Sequence, residues 1–158
     1  MVSTKVLKEF GLFKGLDDSE LTRIAKLCHK RTLDKDTLYF AQGKKATEVH
    51  LCRSGKVDIV VRLSEPWGTE VTVYKAGKGQ VFGWSSILEP SIYTASAVCV
   101  ERTEDIYIKA LDLFNLFEEE PHIGYVLMRN LSSIINTRLA EYRTKLCIEI
   151  ATSIQKEW

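Results

Sequence analysis

Residues 79–97 read Gly79-Gln80-Val81-Phe82-Gly83-Trp84-Ser85-Ser86-Ile87-Leu88-Glu89-Pro90-Ser91-Ile92-Tyr93-Thr94-Ala95-Ser96-Ala97, and the fold turns on this stretch. A short apolar run ends in Phe82-Gly83, small polar residues follow, and Ile87-Leu88 closes the segment. That order predicts a strand, a tight turn and one helical turn. A helix start carries unpaired backbone N–H groups and the positive end of the helix dipole. Gly83 lets a ligand approach the backbone, and the Ser85 and Ser86 hydroxyls add donors, so the segment suits an anion cradle. The same residues also suit an ordinary strand-to-helix corner.

On the N-terminal side, from Thr32 to about Lys109, the period is two. The runs His50-Leu51-Cys52-Arg53, Val57–Leu63, Glu70–Tyr74 and Asp105–Ile108 are short and rich in β-branched or aromatic residues. Gly43, Gly55, Pro66, Gly68, Gly77 and Gly79 punctuate them. Strands of about five residues at spacings near ten predict an antiparallel roll, not βαβ units. Ser54-Gly55 reads as a tight hairpin turn, and Glu65-Pro66-Trp67-Gly68 as the next hairpin loop.

Helices flank the roll. Asp17 stands three residues before Glu20, the spacing of a capping box, and Leu21, Ile24, Ala25 and Cys28 then mark one apolar helical face. Ala110–Glu119 reads as a short helix stopped ahead of Pro121. Beyond it a long helix is predicted from about His122 to at least Ile150. Met128, Leu131, Ile135, Leu139, Tyr142, Leu146 and Ile150 form an unbroken stripe, with a second partial stripe at Ile123, Leu127 and Ile134. A helix of about 29 residues measures roughly 43 Å, longer than a small roll can cover. A second chain is expected to bury its distal half, giving a homodimer; the alternative is burial on the chain's own roll. Arg129, Arg138, Arg143 and Lys145 alternate with Glu141 and Glu149 and are assigned to the solvent face.

The 158 residues suit one domain: about 6–31 helical, 32–109 β-roll, and 110–158 helical again. The expected fold class is mainly β with flanking helices. Net charge is +1, which argues against nucleic acid bound by this chain alone. No apolar run reaches the ~20 residues of a membrane span, and Met1–Phe10 lacks the apolar core of a secretory signal, so a cytoplasmic, membrane-free protein is expected. Cys28, Cys52, Cys99 and Cys147 contain no CxxC pair and read as reduced, buried small residues. His29, His50 and His122 lack metal-ligand spacing. Glu118-Glu119-Glu120 reads as a solvated run, and no Ser-His-Asp pattern, P-loop or GxSxG turn appears, so neither an enzyme nor a metal centre is expected.

The ordered set of features resembles the cyclic-nucleotide-binding domain of Crp/Fnr-type regulators, kinase regulatory subunits and gated channels. Residues 12–25 look like that family's opening helix. Tyr39–Gly43, Ala46–Leu51 and Ser54–Val57 match its first strands and glycine turns, and Gly79–Gly83 opens its phosphate-binding cassette. Ala95–Val100 and Ile106–Phe114 resemble its last strands and the start of its final helices. The resemblance covers about residues 7–150 and implies a double-stranded, jelly-roll-like β-roll serving as a regulatory sensor.

The departures bear on the ligand. The family's cassette reads Phe-Gly-Glu, with an Arg before Ala/Thr-Ala; here Trp84 stands for the Glu and Tyr93 for the Arg. By resemblance the Glu binds a ribose hydroxyl and the Arg pairs with the cyclic phosphate. Loss of one charge-assisted bond implies about ten- to a hundredfold weaker phosphate binding. Trp84 and Tyr93 either fill the pocket, or line an altered one for a flatter or more apolar ligand, or leave weak nucleotide binding to backbone amides, Ser85, Ser86 and Thr94. The candidate ligand residues are therefore Gly83, Trp84, Ser85, Ser86, Tyr93 and Thr94. By resemblance, Tyr142 and Arg143 on the long helix are weaker candidates for contact with a base. The expected ligand is a cyclic nucleotide or another small molecule, with a ligand-free dimeric scaffold as the alternative. The chain ends at Trp158 without room for the helix-turn-helix of full-length regulators, as in a stand-alone sensor or a piece of a longer protein.

Overall fold

The computed structural model describes residues 1–156. The chain opens with α1 (Thr4–Leu7), a 3-10 turn (Gly11–Phe13) and α2 (Asp18–Leu27). The predicted capping box is present. The Asp17 carboxylate accepts the Glu20 N–H, and the Glu20 carboxylate accepts the Asp17 N–H, each at 2.9 Å. Leu21, Ile24 and Ala25 face inward, against Leu7, Phe10 and Leu12 and the buried start of the last helix.

Eight strands then form two four-stranded antiparallel sheets. One has the order β1 (His29–Leu33), β8 (Thr103–Lys109), β3 (Glu48–Ser54), β6 (Val81–Phe82). The other has the order β2 (Leu38–Phe40), β7 (Ser96–Cys99), β4 (Lys56–Arg62), β5 (Glu70–Gly77). The sheets enclose a small core of Cys52, Val57, Ala76, Phe82 and Ala97, while the larger core joins the helices to β3, β6 and β8. The expected mainly-β roll with flanking helices is thus the observed architecture. The four strand runs read from the sequence lie in β3, β4, β5 and β8, with only Leu63 reaching one residue past the end of its strand, β4. β1 begins at His29, before the predicted onset of β structure, because its polar residues show no clean alternation.

The reading of Ser54-Gly55 as a hairpin turn is corrected. β3 and β4 are not paired with each other; they belong to different sheets, and Gly55 is the corner where the chain crosses between them. Its φ is +92°, and a Cβ there would lie 2.5 Å from Thr103 Oγ1 and 2.6 Å from the Arg102 carbonyl. A sharp local reversal is all that such a dipeptide specifies; the strands' partners are set by distant segments. Glu65–Gly68, by contrast, does lie in the loop of the β4–β5 hairpin, closed by Leu63 N–H to the Thr69 carbonyl at 2.8 Å.

α3 (Ala110–Glu119) ends before Pro121 as predicted, and α4 runs from Pro121 to Lys156. α4 is longer than the minimum read from the sequence, which reached Ile150. Positions 157 and 158 of the expected helical part lie outside the described residues. The first turns of α4 bury Ile123, Val126, Leu127 and Leu131, whereas Leu146 is 60% and Ile150 51% exposed. No helix among the described residues is long and apolar enough to cross a membrane.

Candidate functional site

Segment 79–97 folds as its sequence indicates. β6 ends at Phe82, Gly83 adopts the left-handed conformation (φ 72°, ψ 20°), and Trp84–Ile87 form a single 3-10 turn. A Cβ at Gly83 would come within 2.8 Å of the His50 ring and 3.2 Å of the Glu48 carbonyl, so β3 and the turn approach too closely for any other residue. Ser86 is buried, and both its N–H (3.2 Å) and its hydroxyl (3.0 Å) donate to the Gly83 carbonyl. Its hydroxyl belongs to the corner.

Tyr93 is also turned inward. Its ring stacks on Phe40 with centroids 3.7 Å apart and planes 7° apart. Its hydroxyl donates to the Glu48 carbonyl at 3.0 Å and accepts from the Glu48 and Thr47 N–H groups at 3.3 and 3.4 Å. Burial raises the Tyr93 pKa, and the bonds to the Glu48 and Thr47 backbone pull it the other way. The hydroxyl's only proton is directed to β3, and the ring alone lines the space beside it.

That space is a cavity of about 430 Å³. Gly83, Trp84, Ser85 and Thr94 line it with the Tyr93 ring; β4 and β5 contribute Ile59 and Tyr74, and α4 contributes Ile135, Arg138, Leu139 and Tyr142. Among the candidates read from the sequence, Gly83, Trp84, Ser85, Tyr93, Thr94 and Tyr142 therefore meet around one hollow. Ser86 and Arg143 are not in its wall; Arg143 borders a separate hollow farther along α4 with Cys147 and Ile148. Trp84 and Tyr93 form walls and leave the space open.

Arg138 is the residue that sequence reasoning misplaced. It was assigned to the solvent face, yet its side chain is only 13% exposed and, among the described residues, it is the one charged member of the cavity wall. Its guanidinium lies over the Tyr74 ring, 3.6 Å from the centroid, and one terminal nitrogen donates to the Tyr74 hydroxyl. The other terminal nitrogen is 2.7 Å from Glu141 Oε2, and Nε is buried without a hydrogen-bond partner. Burial pushes the Tyr74 pKa up to about 12, with Arg138 opposing the shift. The signal was available in the spacing: Ile135, Arg138, Leu139 and Tyr142 follow i, i+3, i+4, i+7, so Arg138 must share the apolar face.

Behind β6 lies a buried polar cluster. His50 Nδ1 is 3.1 Å and Arg31 Nε 3.0 Å from Asp105 Oδ2, and Arg31 Nη2 is 3.3 Å from Glu48 Oε2. It ties β1, β3 and β8 together. The His50 ring stacks on Phe82, 4.9 Å between centroids, and so supports the strand that delivers Gly83. His50 and Asp105 are the buried members of this cluster, whereas the Arg31 and Glu48 side chains are part-exposed and Asp105 Oδ1 is left without a hydrogen-bond partner.

Comparison with known proteins agrees with this fold. The family described as the cyclic nucleotide-binding domain matches residues 30–120. The chain is 30% identical over 135 residues to the cyclic AMP receptor protein of Thermus thermophilus, covering 85% of this chain and 60% of that protein. It is 26% identical over 128 residues to a CRP-like cAMP-activated global transcriptional regulator of Mycobacterium tuberculosis, covering 81% of this chain and 56% of that one. The chain thus spans a little over half the length of these relatives. Among solved structures, a cyclic nucleotide-binding domain from Methylobacillus flagellatus superposes with a TM-score of 0.81 at 17% identity, covering 93% of this chain and 82% of that one, a likeness of fold.

Proposed function

We propose that this chain, which belongs to the cyclic nucleotide-binding domain family, is a non-catalytic sensor of a small ligand whose binding resets the docking of α4. The observation that carries the reading is the cavity of about 430 Å³ walled jointly by the Gly83–Ser85 turn and α4. Its volume lies in the range of small-molecule sites. An occupant touches the roll and the helix together, so it stabilises one docking of α4 over another, and a regulatory change needs only that differential contact. Gly83, Trp84, Ser85, Tyr93 and Thr94 form the ligand's cassette side, and Tyr142 the helix side. The protein acts in the cytoplasm as a homodimer joined along the exposed apolar stripe of α4, where Leu146, Ile150 and Ile154 stand open.

The same stripe favours a second reading, a ligand-free dimeric scaffold. One titration separates the two. Cyclic AMP and cyclic GMP are added up to millimolar concentrations while Trp fluorescence and melting temperature are followed, with the wild type beside the double variant Trp84→Glu, Tyr93→Arg. Occupancy perturbs Trp84 emission in the wild type, and binding to the native state raises the melting temperature. The sensor reading expects a weak or absent wild-type response and a gained response in the variant. A folded variant as silent as the wild type would leave the scaffold reading standing.

A further inference from the structure

We infer that the cavity takes a monocarboxylate with an apolar body, its carboxylate paired with Arg138 on α4 and its body among the aromatic and aliphatic walls. The inference rests on the sensor reading above and specifies the ligand class. Among the described residues lining the cavity, Arg138 alone carries charge; Phe40, Ile59, Trp84 and Leu139 make much of the rest apolar. One cation in an apolar chamber selects one anionic charge, because a second negative charge would be desolvated without a partner. Phosphate dianions are disfavoured on that ground. A carboxylate can take the place of the Glu141 carboxylate on the same terminal nitrogen, whereas a neutral head group brings no charge to the guanidinium.

Arg138 is also held ready. Its ring contact with Tyr74 fixes the guanidinium's plane, and Nε–H is buried with no acceptor. The donors left for a ligand are the terminal nitrogens, one held by the Tyr74 hydroxyl and the other by Glu141. Glu141 occupies the other edge of the guanidinium, but its own side chain is 48% exposed and can withdraw into solvent. The ligand therefore competes with Glu141 for Arg138. This places the ionic contact on the helix, the element whose docking is to be changed, and leaves the cassette turn to hold the apolar body.

The test uses two acids, 4-phenylbutyrate and octanoate, and their primary amides as isosteric neutral controls. Binding to the full chain is measured by calorimetry and Trp fluorescence at neutral pH. The wild type is expected to bind each acid about tenfold or more tightly than its amide, the value of a charge-assisted bond. In Arg138→Gln the acid-to-amide ratio falls to about one. In Glu141→Gln the acids bind several-fold more tightly and the amides as before, since the competitor is gone. Equal binding of acid and amide by the wild type, or an acid preference that survives Arg138→Gln, overturns the charge assignment while leaving the cavity reading in place. Failure of all four compounds to bind overturns the monocarboxylate assignment, while the sensor reading stands or falls on the nucleotide titration above.

Discussion

The ring of Tyr93 lies flat on that of Phe40, 3.7 Å between centroids, and fixes the loop before β7 against β2. The hydroxyl at the end of that ring serves three backbone groups of residues 47 and 48 at once. Tyr93→Phe keeps the stack and removes those bonds. Two backbone amides and a carbonyl then lose their partner, and the variant is expected to lose about 1–3 kcal/mol of stability. Urea denaturation checks this; an unchanged midpoint would mean that water serves the Thr47 and Glu48 groups equally well.

Gly83→Ala tests the close approach of β3 to the turn. The new Cβ meets both an unfavourable φ of +72° and the His50 ring at 2.8 Å. Gly43→Ala is the matched control, with φ at +83° and no atom within 4 Å of the added carbon. Strain alone costs about 1 kcal/mol, so Gly43→Ala is expected near that value and Gly83→Ala about 2 kcal/mol or more beyond it. Comparable losses in the two variants would show that the turn moves away from His50 freely.

Stability should fall at alkaline pH. The Cys52 thiol is wholly buried, and burial pushes its pKa from 9.0 up to about 12. The unfolded chain releases that proton above pH 9.0 while the folded chain keeps it. The contribution is thus fully present below the unfolded pKa and is lost as pH rises through the folded one. Tyr74, raised from 10.0 to about 12, adds a loss of the same sign. Between about pH 8 and about pH 10.5, Cys52 alone accounts for a loss on the order of 2 kcal/mol. Cys52→Ala should flatten the decline of the urea midpoint with pH, whatever its effect at neutral pH; an unaltered slope would place the titration elsewhere.

The double substitution Leu146→Glu, Ile150→Glu loads the exposed stripe of α4 with charge. Both positions are more than half exposed in the single chain, so the substitutions should leave the roll folded and lower its urea midpoint only by the share the dimer contributes. Sedimentation equilibrium is expected to show a dimer for the wild type and a monomer for the variant. A variant that remains dimeric removes this stripe from the interface.

The sequence made the local devices legible. The Asp17–Glu20 box, the stop before Pro121, the Glu65–Gly68 hairpin loop and the strand-turn sequence through Gly83 each depend on neighbours a few residues apart. Ser54-Gly55 was misread because a positive-φ reversal looks the same in a hairpin and at a sheet-crossing corner, and only the remote partners of β3 and β4 distinguish them. At the site, the wall residues Gly83, Trp84, Ser85, Tyr93 and Thr94 follow from the cassette pattern, but those of β4, β5 and α4 and the direction of each polar group do not. Ser86 and Tyr93 spend their hydroxyls on carbonyls of Gly83 and Glu48, contacts that local pattern does not specify. Arg138 was legible in the heptad-like spacing and was set aside because a charge is expected to face water.

α4 is one unbroken helix whose start is locked in the core, whose middle walls the cavity and whose end stands clear of the roll. At 1.5 Å per residue, Lys156 lies about 27 Å beyond Arg138 along the axis. A stiff rod pivoting at the core acts as a lever: a tilt of roughly 10° about Arg138 carries its far end about 5 Å. An adjustment at the cavity no larger than a side-chain repacking is thereby geared up into a displacement that a neighbouring surface can feel.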